Sequence, residues 1–118
     1  MSFRIELPLP PSANSLYLNS NAPGRRRRRS PEYHAWLWEA AIAVGFRSGR
    51  AIQVVGPYSL RVLLPEKMRG DCDNRLKAVS DFLVSLKFTP DDRHCMRVSA
   101  ERDSSVPPGR CVVLAEAA

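Results

Sequence analysis

The sequence predicts a small α+β domain, a mixed β-sheet carrying two helices. Three observations predict it. Several stretches alternate apolar and polar residues at the two-residue period of a strand, two others repeat apolar residues at helical spacing, and 118 residues is the size of one domain. Apolar residues make up 44% and charged residues 25%, an ordinary balance for a chain that folds around its own core. The reading is therefore a single domain, 1–118, without an internal repeat and with residues 20–30 as a basic loop.

Taken in order, "FRIELPL" sets Phe3, Ile5, Leu7 and Leu9 against Arg4 and Glu6, a half-buried strand. "PLPPSANSLYLNSNAPGRRRRRS" is rich in Pro, Asn, Ser and Gly and has little periodicity, which makes it a long loop with an arginine run at its tip. In "SPEYHAWLWEAAIAVGFRSG", Ser30 is placed as N-cap and Pro31 at the first helical position. Tyr33, Trp36, Leu37, Ala40 and Val44 then form one face of a helix that ends between Gly45 and Gly49. "GPYSLRVLLPE" alternates Tyr58, Leu60, Val62 and Leu64 until Pro65 stops the pattern.

From Asn74 to Leu86, Leu76, Val79, Phe82, Leu83 and Leu86 fall at helical spacing, with Asp73 available as N-cap. "HCMRVSAE" and "RCVVLAE" are two more strands, joined as a hairpin by the turn-rich "RDSSVPPG". The expected order is strand, loop, helix, strand, helix, strand, strand.

Charge and cysteine content narrow the function classes. The net charge is +6, from 18 basic and 12 acidic residues, and 15 of the basic ones are arginine, whose planar fork matches phosphate oxygens. Five of them are consecutive, Arg25, Arg26, Arg27, Arg28 and Arg29; subtracting these five from +6 leaves +1, so the basicity belongs to one segment. Such a run is a solvated loop or a phosphate-binding arm, and counterion release makes the second the preferred reading.

Cys72, Cys95 and Cys111 are odd in number and lack CxxC spacing, which supports neither a disulfide framework nor a zinc finger; reduced thiols follow. His94 and Cys95 adjoin without a second closely spaced pair, so zinc is not favoured. The apolar run around Ala40–Val44 is far shorter than the roughly 20 residues of a membrane span. Met1–Leu9 lacks the apolar centre of a secretory signal, so a cytoplasmic location is expected.

The chemistry concentrates in "RGDCDNRLKAVSDFLVSLKFTPDD". With Asp73 as cap, Asp71 lies just ahead of the helix and Lys77 one turn into it, on the side of Asp73. If the strand after "FTPDD" runs back antiparallel to or alongside the strand ending at Pro65, Asp92 sits beside Asp71 and Asp73. Three carboxylates with oxygen-only chemistry suit Mg²⁺ or Mn²⁺. Taken singly, a helix cap and an Asp-Asp turn explain the same residues, and Lys77 pairs equally well with Asp73 or Asp81 at four-residue spacing.

These motifs together resemble the RusA family of Holliday junction resolvases, whose signature runs D-x-D-N-x-x-K, a helix, then D-D. The opening "IELPLPPSANSLY" is similar to that family's "LPxPPSxN" segment, and the two motifs bracket most of the chain. The resemblance implies that Asp71, Asp73 and Asp92 bind Mg²⁺, that Lys77 is catalytic, and that Asp91 is matched as the first acidic residue of the closing pair. It also implies a homodimer that cuts four-way DNA junctions symmetrically, one strand per subunit, with the 3′ oxygen leaving, and it makes a phage or prophage source plausible.

Asn14 and Asn74 match motif positions. Asn14, Lys67 and Arg69 join the arginine run as the DNA-contacting set. The chain departs from several family members in carrying "PEKMRGD" where they have a continuous basic run. Cys72, between two ligands, is expected to point into the core; Trp36 is expected in the core and Trp38 on a dimer or DNA surface.

The functional expectation is a Mg²⁺-dependent endonuclease that resolves junctions in DNA recombination and repair. The alternatives are an inactive branched-DNA-binding module and a nuclease acting on flaps or other branched forms.

Overall fold

A computed structural model of the protein describes residues 2–18, 28–45 and 54–118. Its described elements are strand β1 (Ser2–Pro8), the short strands β2 (Tyr17–Leu18) and β3 (Arg28–Arg29), helix α1 (Pro31–Ala43), strand β4 (Tyr58–Pro65), helix α2 (Leu76–Ser85), and strands β5 (Cys95–Asp103) and β6 (Arg110–Ala117). Single 3₁₀ turns lie at Ala13–Ser15, Cys72–Arg75 and Asp92–His94. This is the expected α+β domain with a mixed sheet and two helices.

The main sheet has the order β1-β6-β4-β5. β6 is antiparallel to both β1 and β4, with Val113 opposite Ile5 on one side and Val62 on the other. β5 is parallel to β4, pairing Leu60 with Val98, Val62 with Ala100 and Leu64 with Arg102. The expected β5–β6 hairpin therefore does not form: β4 lies between the two strands. The local turn chemistry is present all the same, since Asp103 accepts from the Ser105 backbone N–H at 2.8 Å and hydroxyl at 2.6 Å. Burial decides the outcome. Cys111, Val112 and Val113 are consecutive and all buried, as a central strand requires, whereas β5 exposes most of its side chains and takes the edge.

Alternation puts Phe3, Ile5, Leu7, Leu60, Val62, Leu64, Val113 and Ala115 on one face of the sheet, where both helices pack. α1 contributes Tyr33, Trp36 and Ala40, and α2 contributes Ala78, Val79, Phe82 and Leu83. The helices meet where Trp36 and Phe82 pack edge to face, centroids 5.7 Å apart, while the Trp36 indole N–H donates to the Pro8 carbonyl at 2.9 Å. Trp36 is thus core as expected, and Trp38 is 63% exposed. All three cysteines are free thiols. Burial pushes the Cys111 thiol up to about 12. Among the described residues no helix is long and apolar enough to cross a membrane.

The long loop contains more structure than its composition suggests. β2 and β3 form a two-stranded ribbon, Tyr17 opposite Arg29 and Leu18 opposite Arg28, so the end of the arginine run is paired backbone leading straight into α1. Ser30 anchors that junction. Its Oγ accepts from the Tyr33 backbone N–H at 3.0 Å and donates to the Ser15 carbonyl at 2.5 Å, and Pro31 fills the first helical position. Ser30→Ala should lower stability by about 1–2 kcal/mol, because it removes the cap and orphans a carbonyl. Urea denaturation reads this as a lower midpoint at unchanged slope.

Candidate metal and DNA site

The acidic segment follows the end of β4 through the loop 66–70, and its local geometry differs from expectation. α2 is ten residues long and begins at Leu76, preceded by the 3₁₀ turn Cys72–Arg75. Asp73 lies inside that turn and is not the helix cap. Arg75 occupies the cap position and makes no side-chain capping bond. Asp71, with extended backbone at φ −85° and ψ 142°, precedes the turn and likewise makes no side-chain cap. The physical reason is that the tighter turn satisfies the first backbone groups through its own i→i+3 bonds and displaces the cap geometry. Both carboxylates are exposed, and neither caps the turn or α2.

At the other end of α2 the pair divides its labour. Asp91 caps the turn Asp92–His94, its Oδ1 accepting from the Arg93 backbone N–H at 3.0 Å. That bond, and next its side-chain contact with Asp92, hold the Asp91 carboxyl below its ordinary range. Asp91 is therefore the turn residue, and Asp92 is exposed within the turn.

Lys77 is in the first turn of α2, as expected. Its ammonium donates to Asp81 Oδ1 at 3.0 Å, so of its two possible partners it takes Asp81. Asp81 also accepts from the Tyr33 hydroxyl at 3.3 Å. The bond to Asp81 raises the Lys77 pKa above its ordinary 10.5, and the field of Asp92 adds to it. The charge, and the stabilisation it gives, is therefore fully present below about 10.5 and is lost as pH rises through the higher folded value. Asp81→Asn should bring deprotonation of Lys77 to lower pH; if Lys77 acts as a cation in cleavage, the alkaline limb of the rate profile moves down with it.

The turn Ala13–Ser15, which carries the exposed Asn14, packs against both the Cys72–Arg75 turn and α2. Arg75 ties these parts together: Nη1 donates to the Pro10 carbonyl at 2.7 Å and Nη2 to the Arg69 carbonyl at 3.4 Å, while Nε is buried and has no hydrogen-bond partner among the described residues. Lys67 and Arg69 project from the exposed loop 66–70, which borders an open cavity of about 410 Å³ floored by Leu9, Pro65, Met68 and Val106. Cys72 is half-buried against the core, near its expected position. Arg28 and Arg29 are exposed, and the Arg29 guanidinium lies 5.5 Å from the Tyr33 ring centroid, a cation–π contact. Arg25, Arg26 and Arg27 lie outside the described residues.

Among the described residues no three His, Cys, Asp or Glu side chains converge on one cation-sized gap. Asp71 and Asp73 sit at the entrance to α2 and Asp92 follows its exit, with Lys77 in the field of Asp92. The oxygen-only donor set nonetheless fits Mg²⁺ in kind. Mg²⁺ keeps several waters and is commonly bound through one or two carboxylates plus substrate phosphates, which needs no closed protein cage. Sequence reasoning missed Arg75 and Arg102 as organisers of this region; the Lys77–Asp81 pair was readable from its four-residue spacing. No protein-family model matches the chain, and none of the curated proteins matches it.

Proposed function

We propose that the chain is a RusA-like, Mg²⁺-dependent endonuclease that acts as a homodimer and resolves four-way DNA junctions by paired nicks in recombination and repair. The observation that carries this reading is the bracketing of α2 by two acidic turns. Neither Asp71 nor Asp73 caps a helix, Asp91 rather than Asp92 caps the exit turn, and Lys77, in the first turn of α2, is held as a cation by Asp81 within the field of Asp92. Capping duties thus do not account for Asp71, Asp73 and Asp92.

Asp71, Asp73 and Asp92 would hold Mg²⁺, with Mn²⁺ as a substitute. The bound ion supplies an activated water and offsets charge on the leaving oxygen. Lys77 stabilises negative charge building on the phosphate, and Asp81 keeps it protonated and oriented. Lys67, Arg69, Asn14 and the run Arg25–Arg29 bind the DNA backbone. A two-fold dimer presents two equivalent sites to the two-fold pseudo-symmetry of a junction. The edge strand β5 exposes Met96 and Val98, a surface that suits a second copy.

The test is cleavage of a synthetic mobile four-way junction, beside a flap and a linear duplex, with and without Mg²⁺. Symmetric Mg²⁺-dependent nicks in the junction support the reading. Equal or faster cutting of flaps reassigns the substrate, and tight junction binding without cleavage makes the chain a binding module. For the arginine run, replacing all five arginines with Ala should weaken junction binding and flatten the dependence of log K on log salt by up to about 4.5, since each phosphate contact contributes about 0.9. An unchanged slope removes the run from the interface.

A further inference from the structure

The loop 66–70 delivers Asp71 and Asp73, yet it has no ladder of its own to hold it. Most of its side-chain support comes from one residue 32 to 36 positions away in sequence. Arg102 Nη1 donates to the Glu66 carbonyl at 3.1 Å and the Met68 carbonyl at 2.5 Å, and Nη2 donates to the Gly70 carbonyl at 2.7 Å. One guanidinium therefore gathers alternate carbonyls along the whole loop.

The sheet explains its aim. Arg102 pairs with Leu64 across the parallel β4–β5 ladder, which puts it on the same face as Leu64, beneath the point where β4 gives way to the loop. Gly70 is at φ +87°, a left-handed conformation that a side chain would disfavour, and its carbonyl is the last of the three bound by Arg102. Downstream, Arg75 holds the Arg69 carbonyl, so the loop is fixed from both sides.

We propose that Arg102 is a positioning residue. By clamping the three carbonyls it sets the backbone from which Asp71 and Asp73 reach the metal, and it does so without contacting DNA. This rests on the endonuclease reading. A charge-assisted fork spanning three acceptors has no equivalent in lysine, whose ammonium is a point donor, so the series Arg102→Lys and Arg102→Ala should grade the effect.

The experiment uses the full chain and four readouts: circular dichroism, trypsin cleavage after Lys67 and Arg69, binding of Mn²⁺ alone by calorimetry, and junction affinity without metal. Arg102→Ala should keep the wild-type spectrum and bind the junction within about twofold. It should be cut by trypsin at Lys67 or Arg69 at least about tenfold faster, and its Mn²⁺ affinity should drop about tenfold or more, as losses of outer-shell partners do. Arg102→Lys should fall between, and it serves as the test if the alanine variant misfolds.

Unchanged trypsin susceptibility or unchanged Mn²⁺ affinity overturns the proposal, and a drop in metal-free junction affinity of tenfold or more makes Arg102 a DNA contact instead. If the wild type binds Mn²⁺ but does not cut junctions, the endonuclease reading fails while the Arg102 result still stands on loop protection and metal affinity. A wild type that neither cuts nor binds Mn²⁺ overturns both.

Discussion

Asp73→Asn should abolish most metal-dependent junction cleavage, by roughly 10²–10³-fold, while leaving junction binding within about twofold. The substitution keeps shape and hydrogen-bonding capacity and removes one negative charge from an exposed position in the Cys72–Arg75 turn. Because Asp73 does not cap α2, the change should leave the thermal midpoint almost where it was. Loss of cleavage with an intact fold therefore reads on chemistry and not on folding. Asp91→Asn is the matched control: it keeps an acceptor for the Arg93 backbone N–H and should retain most activity. Wild-type rates from Asp73→Asn, or equal losses from both variants, would remove the metal assignment.

Phe82→Ala should cost about 3–5 kcal/mol of stability. Phe82 is 1% exposed in the core beside Trp36, so deleting its ring leaves a cavity where the two helices meet and removes an edge-to-face pair. Against a total of about 5–15 kcal/mol for a domain of ordinary stability, that loss moves the thermal midpoint down by about 15–30 °C. Ile42→Ala provides the contrast: Ile42 is 53% exposed on α1 and its truncation should stay within about 0.5 kcal/mol. A small effect from Phe82→Ala would mean that the helix layer is not packed as described.

Most of the fold was readable because its signals are local. Alternation located β1 and β4, and Ser30-Pro31 together with the Tyr33, Trp36, Ala40 spacing located α1. The pairing of the last two strands was not read correctly, because a genuine Asx-type turn at Asp103 looks the same whether the next strand folds back beside β5 or one place further along. The discriminating signal was the unbroken apolar run of β6 beside the polar β5.

In the candidate site, the residue types and the Lys77–Asp81 spacing were legible. The displacement of the helix start to Leu76 was not, since a 3₁₀ turn and a capped α-turn use the same residues. The Arg102 and Arg75 clamps were invisible for another reason. An arginine that binds carbonyls 32 to 65 positions away obeys no period and needs no particular partner side chain.

The position of β6 also shapes how the chain becomes a protein. β1 is synthesised first and β6 last of the sheet strands, yet β6 is the strand that both β1 and β4 require as a neighbour. On a ribosome adding about 5–20 residues per second, β1 therefore waits several seconds with no partner in the main sheet. The helices and the β4–β5 pair are able to form in that interval, but the core closes only when Arg110–Ala117 slides between strands already made. Such non-local closure is slow, and it leaves the nascent chain most vulnerable to association with its own copies in the interval before β6 joins the sheet.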